Sequence, residues 1–301
     1  MRVNQQIDFI NKFKYDLRMI CHVKSFDFSK DSQMTKEIID TYNHDGVVCL
    51  KKAVPIYWLN KIEDGVNLFL KKERVEGDSS NVTVKYDEDS GLFHYATSMW
   101  KTIEPFRSFI FESGIPLRFG KILETTFLNL YYDFLLIKEA GCKSAITPWH
   151  QDHSYYCLNG KKVINCWTAL DKIPSETALR FVRKTSDLTQ VHQAIHFDPN
   201  KEYNHTDKNR PIPPDFNNDT KHQILHSELE PGDTLIWNSR TFHSAPGNNL
   251  TTRRAALSIN LAGDDVTFYD MDQEPDPPIR GESLKDGSPI TCESFPLLCE
   301  N

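Results

Sequence analysis

Apolar positions change period near the middle of the chain, dividing it into a helical front and a stranded back. Over residues 32–42, Met34, Ile38, Ile39 and Tyr42 recur at helical spacing behind an N-cap, and Asn43-His44-Asp45-Gly46 ends the run. A short strand is expected over 47–50. Pro55 opens a longer helix, in which Leu59, Ile62, Val66, Leu68 and Leu70 recur as far as Lys72. Residues 75–91 are polar and turn-rich, predicting a loop or weak hairpin, and helical patterns return over 103–111 and 116–123. At Thr126 the pattern switches. Aromatic and aliphatic residues then read as strands over 127–132 and 134–137, with further strands over 145–150, 163–170, 179–182, 223–225, 234–237 and 255–262.

A helical front followed by many short strands predicts a mainly β fold, with helices packed outside an antiparallel sandwich or barrel. We expect one domain over 31–270, between an N-terminal extension (1–30) and a C-terminal extension (271–301). A polar insertion at 198–222, containing Asp207-Lys208-Asn209-Arg210-Pro211 and Pro213-Pro214-Asp215, cannot form core and reads as a lid over a site or a surface loop.

Composition narrows the function classes. The 301 residues suffice for a sizeable core, and 35 basic against 42 acidic residues leave a net charge of −7. Such a balance offers no general attraction to nucleic-acid phosphates or anionic lipid, so neither is an expected partner. The first residues lack the apolar run of a secretory signal, and no stretch approaches the roughly 20 apolar residues that span a bilayer. A cytoplasmic protein is therefore expected. The seven scattered cysteines form no Cys-x-x-Cys pair, which argues for buried or idle thiols in a reducing compartment rather than a zinc ribbon or disulfide framework. Nothing in the pattern specifies an oligomeric state.

Candidate chemistry begins at Thr147-Pro148-Trp149-His150-Gln151-Asp152. In an extended strand His150 and Asp152 project to the same face and offer two corners of a metal site, although alone such a pair is ordinary surface chemistry. A mononuclear iron site of the two-histidine, one-carboxylate kind needs a third ligand from far along the chain. His243, in Thr241-Phe242-His243-Ser244-Ala245-Pro246-Gly247-Asn248, is the best candidate. Eleven residues later stands Arg254. Strand alternation puts Arg254, Ala256, Ser258 and Asn260 on one face, suited to lining a cavity, and Arg253, Ala255, Leu257, Ile259 and Leu261 on the other. A guanidinium in such a cavity suits one end of a dicarboxylate. Of the other groups, His153 would point away from the His150 face if the strand continued. Tyr155 and Tyr156 stand close enough to reach a substrate or to pack in the core. Asp264 and Asp265 read as a solvated strand end, and His192, His196, His205, His222 and His226 as solvated groups near the insertion.

These residues together resemble the phytanoyl-CoA dioxygenase family of iron(II)- and 2-oxoglutarate-dependent oxygenases. The resemblance rests on Thr147 to Asp152, Trp167-Thr168-Ala169-Leu170, Pro231-Gly232-Asp233, His243 with Ala245-Pro246-Gly247-Asn248, and Arg254. It extends to Asp45-Gly46-Val47-Val48 and the helix after Pro55, and covers roughly 32–265. It implies a double-stranded β-helix (jelly roll, cupin-like) with the helical half packed on the sheets. It also implies Fe(II) held by His150, Asp152 and His243, with 2-oxoglutarate and O2 as cosubstrates. Arg254 would bind the distal carboxylate of 2-oxoglutarate, with Trp167 and Lys138 beside it. Many members have Gly-Ser or Gly-Ala after the distal histidine where this chain has Ser244-Ala245, so a serine contact to the cosubstrate is not implied. The implied reaction hydroxylates or otherwise oxidises a small-molecule metabolite and releases succinate and CO2. Asp152 argues against halogenation, since related halogenases lack that carboxylate. A non-catalytic metal-binding jelly-roll module, a zinc hydrolase and an acyl-CoA hydroxylase of the same family stay open as alternatives.

Overall fold

A computed structural model describes residues 20–29, 31–71, 81–186, 190–197, 209–271, 275 and 284–300. The first helix, α1 (Lys36–Asp45), starts later than its apolar spacing predicts. Thr35 rather than a residue near 32 is its N-cap, accepting from the Ile38 N–H, and Gly46 closes it in the left-handed region at φ 81°. Strand β3 (Val47–Lys51) follows, then α2 (Ile56–Lys71) behind Pro55. Where a loop or weak hairpin is expected over 75–91, β4 (Asn81–Val84) pairs with β5 (Phe93–Thr97), a strand beyond that range, while 72–80 lie outside the described residues. Helices α3 (Glu104–Glu112) and α4 (Ile115–Gly120) complete the front half.

The two strands expected over 127–132 and 134–137 are one, β6 (Phe127–Lys138). The acidic Asp133 read as a break, but its side chain turns to the helical side, where Oδ1 accepts the Trp100 N–H. The chain continues through β7 (Thr147–His150), β8 (Leu158–Asn159), β9 (Val163–Ala169), β10 (Arg180–Val182), β11 (Ile224–His226), β12 (Thr234–Asn238), β13 (His243–Ala245), β14 (Arg254–Ala262) and β15 (Thr267–Phe268). Segments read as extensions also contribute strands: β1 (Ile20–His22) and β2 (Ser25–Asp27) from the front, β16 (Leu297–Glu300) from the end. The part of the 198–222 insertion within the described residues, 209–222, holds one short 3-10 turn, Phe216–Asn218.

Two open sheets face each other. The larger runs β2-β3-β12-β9-β14-β6-β5-β4, with β16 also on β6, and the smaller runs β1-β11-β10-β13-β7. The helices cover the outer face of the larger sheet, where Ile62, Phe106 and Phe109 bury Leu257, Ile259 and Leu261 of β14. Ala256 faces the other way, into a second core formed with Trp167, Trp237, Phe181 and Ala245 from both sheets. The alternation predicted for β14 therefore separates helix-facing from interior residues, and the interior face is where the polar chemistry collects.

Candidate active site

The two histidines meet through sheet register. Strands β13 and β7 are antiparallel neighbours, His243 is the partner of His150, and the ring centroids lie 4.2 Å apart. Each ring turns Nδ1 to a carbonyl two residues back, His150 to Pro148 O at 2.8 Å and His243 to Thr241 O at 3.1 Å. Donation from Nδ1 leaves Nε2 as a lone pair, the form that binds metals. Both Nε2 atoms face Asp152, at 3.3 Å from Oδ1 for His150 and 3.5 Å from Oδ2 for His243. Asp152 does not lie in the strand. β7 ends at His150, Gln151 is extended (φ −111°, ψ 129°), and Asp152 opens a 3-10 turn (Asp152–Ser154). One extended residue between them suffices to keep the imidazole and carboxylate on the same side.

The larger sheet positions the carboxylate. Asn165 of β9 and Trp237 of β12 are register partners, and both donate to Asp152 Oδ2, Trp237 Nε1 at 2.9 Å and Asn165 through Nδ2. Asn165 Oδ1 in turn accepts from Tyr156 OH (3.0 Å), which accepts from Tyr132 OH (3.0 Å). Burial pushes the Asp152 carboxyl up, but His243, His150 and the Trp237 N–H outweigh it and hold the group below its ordinary range, ionised. Burial pushes His243 down to about 4 against the pull of Asp152, keeping it neutral. The three ligand atoms lie within 4.8 Å of one another. Two imidazoles that turn Nε2 to the same carboxylate, each steered by its own hydrogen bonds, fit an iron(II) ion with open positions. Asn165 and Trp237 did not emerge from the sequence. The available signal was a polar residue at an inward position of an otherwise buried strand.

Arg254 starts β14, almost completely buried, with its guanidinium 5.2 Å from the Trp167 ring centroid. Its Nε and Nη2 have no hydrogen-bond partner among the described residues, and burial lowers its pKa to about 10. Lys138 is its register partner on β6 and is also buried, with Nζ donating to Pro246 O at 2.9 Å. Burial and then the Arg254 charge push the Lys138 ammonium well below its ordinary range. The loop after β13 reaches this spot because Gly247 packs under the Lys143 carbonyl, where an added Cβ would lie 1.8 Å from the oxygen, and Asn248 Nδ2 donates to Lys138 O at 2.9 Å. A buried guanidinium with free N–H groups, flanked by a lysine and an indole, fits a carboxylate.

Other candidates fall elsewhere. Tyr155 packs its ring 5.8 Å from that of His150 and bonds the Ile195 backbone (2.7 Å), beside Phe197, whose ring is 4.9 Å from His150. Tyr156 belongs to the Asn165 relay. His153 sits in the turn rather than on a continuing strand, with Nδ1 against Ser239 Oγ (3.0 Å). His192, expected to be solvated, is buried because Gln151, wedged between two of the candidate ligands, accepts its backbone and ring N–H groups at 3.0 and 3.1 Å. His222 is exposed as expected, and His205 lies outside the described residues. Asp264 and Asp265 are loop staples rather than a solvated strand end, holding Thr126 and the backbone of Lys161 and Lys162. A cavity of about 250 Å³ is lined by Thr147, Pro148, Arg180, Ser244 and Pro213, and none of His150, Asp152 and His243 lines it.

Comparison with known proteins completes the description. The epimerase SnoN from nogalamycin biosynthesis, described as non-heme and alpha-ketoglutarate dependent, superposes with a TM-score of 0.67 over 88% of this chain and 96% of its own, at 18% identity. The carbocyclase SnoK from the same biosynthesis gives 0.65 at 22% identity, covering 88% and 97%. EctD from S. alaskensis, solved with 2-oxoglutarate and 5-hydroxyectoine, gives 0.60 at 12% identity, covering 91% and 90%. At such identities the likeness shows a shared fold, the double-stranded β-helix of these enzymes. A probable phytanoyl-CoA dioxygenase of Caenorhabditis elegans is 29% identical over 127 residues, a match spanning 40% of this chain and 38% of that protein. The phytanoyl-CoA dioxygenase (PhyH) family model matches residues 42–256, a span that takes in His150, Asp152, His243, Arg254, Lys138 and Trp167. On that match, which covers more than two thirds of its length, this chain belongs to the phytanoyl-CoA dioxygenase family.

Proposed function

We propose that this chain is an iron(II)- and 2-oxoglutarate-dependent dioxygenase that hydroxylates or otherwise oxidises a small-molecule metabolite, with release of succinate and CO2. The observation that carries the reading is the pairing of two things in one interior. One is a His150, Asp152 and His243 donor set with its outer hydrogen bonds complete; the other is a buried Arg254 guanidinium with free N–H groups. A zinc hydrolase leaves Arg254 without a task.

In this reading His150 and His243 through Nε2, together with the Asp152 carboxylate, would hold the iron(II), while Asn165 and Trp237 fix the orientation of that carboxylate by donating to Oδ2. Arg254 grips the distal carboxylate of 2-oxoglutarate, Trp167 walls its methylene groups, and Lys138 stands beside Arg254 as its register partner. What iron(II) supplies when bound is the redox chemistry that couples oxygen and 2-oxoglutarate to substrate oxidation. The buried interior keeps bulk water from that chemistry. Tyr155 lies at the side from which a substrate would approach His150. The Asp152 carboxylate, which related halogenases lack, argues against halogenation.

No helix among the described residues is long and apolar enough to cross a membrane. The reading places the protein in the cytoplasm, in keeping with seven free cysteines, and gives it a small-molecule partner rather than nucleic acid or lipid. Anaerobic addition of iron(II) and 2-oxoglutarate should produce a visible charge-transfer band. A well-folded protein that gives no such band, and no succinate from iron, oxygen and broad metabolite pools, would overturn the proposal. Offering free metabolites and acyl-CoA thioesters separately in the succinate assay tells which substrate class is used.

A further inference from the structure

The interior face of β14 carries Arg254, Ala256, Ser258 and Asn260, and polar atoms without partners among the described residues occur at both ends of that row. At one end are Arg254 Nε and Nη2. At the other is the amide nitrogen of Asn260, a residue only 1% exposed, whose amide oxygen accepts from Ser258 Oγ at 3.2 Å. Register sets Asn260 between Asn165 of β9 and Tyr132 of β6. The Asn165 amide oxygen already accepts from Tyr156, Tyr132 OH donates to Tyr156, and the Asn165 amide nitrogen already serves Asp152. The free Asn260 N–H therefore stands one strand away from the residue that positions Asp152. Buried amide groups with unmet hydrogen bonds are costly and rare, so an acceptor is to be sought in what the site binds.

Distance along the strands identifies that acceptor. Trp167, over whose ring the Arg254 guanidinium lies, is the register partner of Ser258, and Ser258 is two residues from Asn260. Two residues of strand span about 7 Å, comparable with the length of a five-carbon diacid. A diacid gripped by Arg254 beside Trp167 would thus bring its other end to the metal triad and to Asn260 together.

We propose that Asn260 donates its amide N–H to the metal-end carboxylate of 2-oxoglutarate, so that one strand face holds the cosubstrate at both ends. The proposal rests on the 2-oxoglutarate reading above and adds a residue that reading does not need. Its test is a pair of anaerobic titrations by calorimetry in the presence of iron(II), one with 2-oxoglutarate and one with 2-oxopentanoate, which keeps the 2-oxo acid end and lacks the distal carboxylate. Asn260→Ala should raise both dissociation constants about tenfold, by the same factor, since it removes one hydrogen bond to a charged group that both ligands use. Asn260→Asp should weaken both further by setting like charges together. Arg254→Ala should weaken 2-oxoglutarate alone.

Iron affinity and thermal midpoint are measured for every variant, and Asn260→Ser replaces any variant that fails to fold. Unchanged constants for both acids in a folded Asn260 variant overturn the proposal, leaving the amide to a buried water. So does a loss confined to 2-oxoglutarate, which would put Asn260 at the distal end. A wild-type protein that binds neither acid sinks the parent reading, an outcome plainly different from either.

Discussion

Arg253 and Arg254 are consecutive residues with opposite fates. Arg253 points to the helical side, where its guanidinium bonds both carboxylate oxygens of Glu63 (2.9 and 3.0 Å) and both of Asp171 (2.9 and 3.0 Å). Burial alone would lower its pKa, yet the two carboxylates carry it above the ordinary value. Arg254 points between the sheets, has no carboxylate partner among the described residues, and is lowered by burial to about 10. Removing a charge from water is worthwhile for stability only when the structure supplies a counter-charge. Arg253 has its counter-charge from within the chain and is structural; Arg254 has none among the described residues, and in the proposed reading its counter-charge arrives with a ligand.

The most drastic test of that contrast is to remove the chemistry on the Arg254 side. Asp152→Ala is expected to abolish iron binding measured by calorimetry under anaerobic conditions, and retained tight binding would break the assignment of the site. Next in size, Arg254→Ala should weaken 2-oxoglutarate about a hundredfold, the loss of two hydrogen bonds between charged groups, with iron affinity kept. Arg253→Ala should leave 2-oxoglutarate affinity nearly unchanged and instead lower unfolding free energy by about 1–3 kcal/mol, discounted for its partial exposure. If the two arginines exchanged these phenotypes, a bulge in solution would have shifted the register of β14.

Smaller effects refine the comparison. Asn165→Leu should weaken iron binding by about ten- to a hundredfold through loss of its hold on Asp152, without altering the binding ratio of the two 2-oxo acids. Asp133 extends the argument to a carboxyl whose burial outweighs the pull of its backbone N–H donors and of the Lys101 charge. Its Oδ2 has no partner among the described residues, and burial pushes its pKa from 3.8 to about 7. Because the folded state binds this proton more tightly than the unfolded state, the contribution is favourable at low pH and is lost as pH rises through about 7. Asp133→Asn should therefore gain stability over the native protein at pH 8 and little at pH 4, as read by urea unfolding. The difference is on the order of a few kcal/mol. A pH-independent difference would show that the carboxyl is solvated in solution.

Legibility followed the range of the interactions involved. Alternation in β14 is local, so the choice of Arg254 over Arg253 was readable from one stretch of chain. The helix after Pro55 and the switch to strands at Thr126 were readable for the same reason. The start of α1 was misplaced because several residues between 31 and 35 resemble caps, and only the hydrogen bond from the Ile38 N–H selects Thr35. β6 was split at Asp133 because its carboxyl is tolerated in a continuous strand only where the Trp100 backbone meets it.

By itself the sequence determined the donor types, His150, Asp152, His243 and Arg254, the periods of the elements that carry them, and membership of a family whose motifs combine these residues. The reason is that each depends on residue identity and spacing along one stretch of chain. Only the tertiary structure decided that His243 pairs in register with His150 and that Asn165 and Trp237 come from the opposite sheet to hold Asp152. It likewise decided that Gln151 ties His192 beside the site and that Asn260 is left with a free donor. Those outcomes depend on which strands become neighbours, and neighbour choice is set by burial summed over both sheets, which no local pattern records.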